Sequence, residues 1–359
     1  LPFEQEDSRF AGLMQHFARF LTRKRALHEN SIAMVAMPGG IGTIDETFES
    51  WRRGRPLALA IEDFWWPILD TFIASWRGAG IIGQVEARKV FTFVSNSEGA
   101  IIDYIRNSQH SAEHYRHFNT PPADLERSIE QMQTAYHQLR RLPYAVTFAG
   151  KPASDDRLLG EAAQLAALLW GEGRSVRTAS QGRLLNLLLD QSSQRHASSQ
   201  LQAVLYEPPG TARVRLSTPE KVLKDRLVLV NDESLHQYLT ASHSTGYVFF
   251  PGGVGTMNKL FDIVQIIQVG KAHPKPIILV GRQFWQPIVD QLYKSWLGGV
   301  MDMPKLVSEK DRSIVTVVDT AQEAFEVLTK SPAGARMAVR RGSSSRPEQV
   351  DEYWRRLWQ

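Results

Sequence analysis

The chain has 359 residues, 43% of them hydrophobic and 22% charged; this composition excludes a disordered or fibrous protein, and the length points to two domains. Lysine and arginine number 42 against 38 acidic residues, a net charge of +4, which implies no nucleic-acid partner, since such a partner calls for charge clustered on one face or arm. The absence of cysteine excludes disulfides, thiolate metal sites and cysteine nucleophiles and makes the cytoplasm the default compartment, and no apolar run is long enough for a membrane span.

In chain order, Leu1 opens the sequence without a Met or a signal-peptide pattern, as expected of a processed or truncated product. Phe10 to Leu27 reads as a helix bearing Arg23 and Lys24. An apolar strand, Ser31 to Met37, runs into Pro38-Gly39-Gly40-Ile41-Gly42-Thr43, which opens the next helix. A strand from Pro56 to Ile61 follows, then a helix that starts Phe64-Trp65-Trp66-Pro67 and reaches Ser75-Trp76, then a β-rich stretch from Val90 to Val94. Asn107 to Thr120 is a polar connection, and Pro122 to Leu142 is a helix with Leu125, Ile129, Met132, Tyr136 and Leu139 on one stripe. No metal site is expected at His110, His114 and His117, because no carboxylate or fourth ligand is placed to complete one.

The same landmarks then recur. Strand Thr245 to Phe250 enters Pro251-Gly252-Gly253-Val254-Gly255-Thr256, strand Pro276 to Val280 leads to Phe284-Trp285-Gln286-Pro287 and on to Ser295-Trp296, and Ile314 to Val318 closes the series. Buried strands alternating with helices imply an α/β fold with parallel sheets covered on both faces, and ligands at the carboxyl ends of the strands. The second copy also has a front half, with strands Tyr144 to Phe148 and Gln202 to Tyr206, helix Asp155 to Trp170 and a glycine turn near Gly182. The first copy has no counterpart to it, so its sheet should lack about two N-terminal strands and expose an edge, which favours truncation of a longer parent. The expected division is 1–118, a linker helix over 119–142, 143–330, and a basic tail over 331–359 that ends in a short helix, Pro347 to Trp358.

A glycine-rich turn between a strand and a helix presents backbone N–H groups and the positive end of the helix dipole, so Gly39, Gly40, Ile41, Gly42 and Thr43 form a candidate phosphate loop. Gly252, Gly253, Gly255 and Thr256 form a second candidate loop. Glu46 follows Thr43 by three residues, a spacing that also fits a capping box with no chemistry attached. Likewise Arg23 and Lys24 fit a solvated basic helix face.

These residues together resemble the LONELY GUY (LOG) family, long mislabelled as lysine decarboxylases, whose signature is an Arg-Lys pair, a helix and strand, then PGGxGTxxE. Here the signature stands as Arg23-Lys24 and Pro38 to Glu46, and Leu1-Pro2-Phe3-Glu4-Gln5 looks like the LPHEQ segment of longer members. The resemblance covers most of residues 1–105 and, more loosely, 143–330. It implies two Rossmann-like domains in tandem, the first without its N-terminal strands, and hydrolysis of a nucleoside 5'-monophosphate to free base and ribose 5-phosphate without a cofactor. In that reading Lys24 and residues Gly39 to Thr43 bind the substrate. Glu46 stabilises the oxocarbenium-like state or orients water and ribose hydroxyls, and Arg23 holds the nucleotide and helps the base leave. Nothing nominates the Schiff-base lysine and ring-nitrogen partner that pyridoxal phosphate chemistry requires.

The second copy departs from the signature, with His236-Gln237 in place of Arg-Lys and Lys259 in place of the glutamate. The first copy departs in length, since Pro38 to Phe64 is seven residues shorter than Pro251 to Phe284. The loss falls within about Ile263 to Gly270 of copy two, a helix that in the family helps form the dimer and wall the pocket. The family's habit of pairing suggests an internal pseudo-dimer or a homo-oligomer. Two functions stay open: an N-glycosidase acting through Arg23, Lys24 and Glu46, and a non-catalytic nucleotide-binding or regulatory protein.

Overall fold

The computed structural model describes residues 27–28, 31, 33–53, 56–81, 93–109, 134–152, 156–180, 182–207, 222–231, 233–270, 272–298 and 305–330. Arg23, Lys24, the histidine-bearing connection, the first half of the linker helix and the basic tail lie outside them.

Short aliphatic runs become strands in two parallel sheets. The first sheet holds β1 (Met34–Ala36), β2 (Leu57–Ala60) and β3 (Phe93–Ser95) in that order, with α1 (Ile41–Arg52) between β1 and β2, α2 (Glu62–Gly78) between β2 and β3, and α3 (Glu98–Gln109) after β3. The second half of the chain contributes β4 (Ala145–Ala149), α4 (Asp156–Gly171), β5 (Ser175–Thr178), α5 (Arg183–Gln194), β6 (Leu201–Tyr206), β7 (Leu227–Val230) and α6 (Glu233–Ala241). It continues with β8 (Ser244–Phe249), α7 (Val254–Gln268), β9 (Ile277–Val280), α8 (Arg282–Leu297), β10 (Val315–Val318) and α9 (Ala321–Lys330). Its sheet runs β10-β9-β8-β4-β5-β6-β7, with every pair parallel. Among the described residues no helix is long and apolar enough to cross a membrane.

The order β8-β9-β10 repeats β1-β2-β3. Even the turn into the second helix of each copy is shared, with positive φ at Ile61 (78°) and Gly281 (103°). That conformation suits glycine and strains a β-branched residue. The second sheet carries four strands beyond this shared unit, where the sequence suggests about two. β5 is hidden in the sequence by Arg177, which is fully buried and satisfied by Gln202 Oε1 (3.2 and 3.0 Å) and the Ser242 carbonyl (2.7 Å). β7 is a four-residue apolar run, too short for periodicity to assign.

The two copies share one core. α1 packs on α7 and α2 on α8, and a single apolar cluster takes in Ile41, Phe48, Trp65 and Trp76 from the first copy with Phe261, Trp285 and Trp296 from the second. Phe48 and Phe261 stack with ring centroids 5.4 Å apart and planes 10° from parallel. They hold equivalent places after their loops, so the stack lies where the two copies meet face to face. Residues 134–140 are helical and add the buried Leu139 to the same cluster. A second cluster, including Phe148, Leu165, Leu188 and Leu328, covers the other face of the larger sheet.

Candidate active site

Each glycine-rich loop links the end of a parallel strand to a helix, β1, whose Val35 is exposed, to α1 and the buried β8 to α7. Gly40 and Gly253 precede these helices with almost the same backbone, φ −82° and ψ −152° against φ −82° and ψ −159°. Neither end has a side-chain cap. Thr43 and Ile44 donate to the Gly40 carbonyl at 3.1 and 3.2 Å, so the N–H groups of Ile41 and Gly42 precede the first intrahelical bond and are available to an anion lying on the helix axis.

This start corrects the capping-box alternative. The helix begins at Ile41, which puts Thr43 inside its first turn and Glu46 beyond the cap. Instead Thr43 folds back over Gly39, where a Cβ would come within 2.0 Å of its Oγ1; Thr256 covers Gly252 in the same way at 2.1 Å. The first glycine of each motif therefore makes room for the loop's own threonine.

The other glycines face the opposite copy. A Cβ on Gly40 would lie 2.9 Å from the Leu306 carbonyl, and one on Gly42 would lie 2.5 Å from Gln265 Nε2. In the second loop, a Cβ on Gly253 would sit 3.5 Å from Ile81 Cγ2 and one on Gly255 4.0 Å from Arg52 Cδ. Trp296 Nε1 donates to the Gly39 carbonyl and Trp76 Nε1 to the Gly252 carbonyl, both at 3.0 Å. Each loop is thus walled and fixed by the other copy. The Ser-Trp pairs mark the repeat in the sequence, but no local signal shows that each indole reaches across to the opposite loop.

Glu46 is half-buried on α1, and its carbonyl accepts a bond from Ser50 Oγ at 2.9 Å. Its neighbour Asp45 is fully buried at the contact between copies, where Asn258 Nδ2 donates to Asp45 Oδ1 at 3.4 Å and Gln237 donates to Asn258 Oδ1. The chain leading on from Arg23 and Lys24 passes through His28, which is buried beside Ser50 Oγ (3.5 Å) and Glu49 Oε2 (3.6 Å). Glu49 in turn accepts two bonds from Arg53, at 3.0 and 2.8 Å.

In the second copy His236 is buried and its Nε2 donates to the Val204 carbonyl at 3.0 Å. Burial first, then the charges of Lys259 and Arg52, push its pKa well below the usual 6.5. A neutral imidazole tied to a strand therefore stands where the first copy has an arginine. The shortening of the first copy is divided: α1 has 12 residues against 15 in α7, and the rest is lost from the link to β2. Among the described residues no group of histidines and carboxylates could hold a metal ion.

A family model described as "Possible lysine decarboxylase" matches residues 3–104 and 211–328, more than half of the chain, and each matched stretch contains one loop. The chain belongs to this family. The two stretches fit a tandem of LOG-family copies whose second member has lost the signature residues at His236, Gln237 and Lys259. The second match starts at residue 211, later than the resemblance from 143 suggests, and leaves β4, β5 and β6 ahead of it. A cytokinin riboside 5'-monophosphate phosphoribohydrolase from Mycobacterium tuberculosis is 30% identical over 107 residues, which make up 30% of this chain and 54% of that protein. The chain thus spans about half the length of this relative.

Proposed function

We propose that the first copy hydrolyses the N-glycosidic bond of a nucleoside 5'-monophosphate. Water adds at the anomeric carbon, the base leaves with a proton, and ribose 5-phosphate is the second product. The observation that carries this reading is the contrast between two loops of the same backbone, one followed by Glu46 and the other by Lys259. The Gly39 to Thr43 loop and Lys24 bind the 5'-phosphate end of the substrate. Glu46 stabilises the positive charge that grows on the sugar, and Arg23 holds the nucleotide and assists the leaving base. The second loop, Gly252 to Thr256, is catalytically silent. The phosphoribohydrolase relative supports the reaction class, and the chain divides at residues 118 and 143 into the competent and the degenerate copy.

The alternative is a nucleotide-binding or regulatory protein, favoured by a first copy with, among the described residues, three strands against seven and a shorter α1. Release of free base from a panel of nucleoside 5'-monophosphates by the full chain tests the choice. Turnover that survives Lys259→Ala and is lost in Glu46→Gln supports the hydrolase, whereas binding without turnover supports the alternative.

A further inference from the structure

Gln265 belongs to the degenerate copy, yet its side chain faces the competent loop. It lies on the last turns of α7, 4% exposed, and its Oε1 has no hydrogen-bond partner among the described residues. A buried amide oxygen without a partner is uncommon, because its desolvation goes uncompensated. The same side chain turns its Nε2 toward Gly42, close enough that a Cβ there would come within 2.5 Å of it. Gly42 is the second residue of α1, where the backbone N–H has no intrahelical acceptor. A buried amide whose oxygen is unpartnered and the N-terminus of α1 therefore meet from opposite copies, with the amide nitrogen on the side of Gly42.

We infer that Gln265 is a substrate-binding residue of the first site, donating Nε2–H to an oxygen of the 5'-phosphate seated on Ile41 and Gly42. This rests on the proposed assignment of the first loop as the phosphate loop. The amide adds a donor from across the contact between the copies, beside the helix terminus that carries the Gly42 N–H. The equivalent place in the first copy is Arg52, whose Cδ would stand 4.0 Å from a Cβ on Gly255. The two loops are thus met by different side chains from across the contact, the amide of a glutamine at the first and the aliphatic stem of an arginine at the second. The degenerate copy is retained, on this reading, because it supplies one wall and one donor of the competent site.

The test is calorimetric binding of ribose 5-phosphate to the full chain, with wild type, Gln265→Met and Gln265→Glu compared. Gln265→Met keeps the volume and removes the donor; it should weaken binding about tenfold or more, since hydrogen bonds to charged groups are the stronger ones. Gln265→Glu should weaken it further by setting a carboxylate against the phosphate. The melting temperature of each variant reports folding, and Gln265→Met carries the test alone should the buried carboxylate prevent it. In turnover, Gln265→Met should raise KM with kcat nearly unchanged, the mark of an interaction made equally in ground and transition states. A folded Gln265→Met protein that binds ribose 5-phosphate as tightly as wild type overturns the inference and leaves the first loop's assignment standing. A wild type that binds neither ribose 5-phosphate nor AMP overturns both. Weaker binding by the variants, in a protein that releases no base, supports the role of Gln265 and sinks the hydrolase reading alone.

Discussion

The indole N–H of Trp296 donates to the Gly39 carbonyl at 3.0 Å, so a residue on α8 of the second copy fixes the first glycine of the first copy's loop. Trp76 returns the same bond to Gly252. Both tryptophans are buried, and the loss of either donor strands a carbonyl inside the contact. Trp296→Phe and Trp76→Phe should each cost about 1–3 kcal/mol of stability, read by denaturant unfolding. Their effects on ligand should differ. Trp296→Phe should weaken ribose 5-phosphate binding because it loosens the first loop, while Trp76→Phe should leave that binding within about twofold. Equal losses of binding would show that the bonds serve the fold alone.

Glu46 lies in the second turn of α1 with Gly40 as the helix cap, so Glu46→Gln should not disturb the helix end. The melting temperature should stay within about 2 °C of wild type. If the carboxylate stabilises charge on the sugar, kcat should fall by roughly 100-fold or more, with ribose 5-phosphate affinity retained. Lys259→Ala should leave kcat unchanged. A Glu46→Gln enzyme of near wild-type rate would remove Glu46 from the mechanism.

The repeat, the α/β class and both loops are legible in the sequence because they are local: an apolar run, a fixed glycine pattern and a helix behind it. What faces each loop is not local. Leu306 and Gln265 meet the first loop, and Ile81 and Arg52 the second, only because α1 packs on α7 and α2 on α8. Glycine spacing also leaves two explanations open, ligand approach and chain approach. At Gly39 the structure decides for the chain, since Thr43 occupies the space a side chain would need. β5 escapes because a buried Arg177 breaks the apolar pattern that marks a central strand.

His236 gives the protein a pH dependence whose sign is fixed by the direction of its shift. Burial and the charges of Lys259 and Arg52 lower its folded pKa well below 6.5, so the unfolded chain takes up a proton at higher pH than the native state does. The stability this confers is complete above about pH 6.5 and is lost as the pH falls from there toward the folded value, by at most about 1.4 kcal/mol per pH unit. Urea unfolding of wild type and His236→Gln between pH 5 and 7.5 should show the steeper acid loss in wild type. Parallel curves for the two proteins would exclude His236 as the source.

The two loop caps offer a matched pair of substitutions. Gly40 and Gly253 share φ −82° and a ψ within the extended region, a backbone that alanine also adopts, so any difference between Gly40→Ala and Gly253→Ala must come from what the new methyl meets. At Gly253 it meets Ile81 Cγ2 at 3.5 Å, an ordinary contact. There the smaller entropy of the unfolded alanine chain should leave the protein unchanged or more stable by up to about 1 kcal/mol. At Gly40 the methyl meets the Leu306 carbonyl at 2.9 Å, and Leu306 is itself held by its N–H bond to the Trp296 carbonyl at 2.8 Å. The backbone there cannot yield without disturbing the residue that also clamps Gly39. Gly40→Ala should therefore destabilise by about 1–3 kcal/mol, the usual cost of overpacking, and should weaken ribose 5-phosphate binding as well. Thermal unfolding of the two variants beside wild type decides the matter: a Gly40→Ala protein as stable as Gly253→Ala would mean that the second copy does not press on the first loop as described.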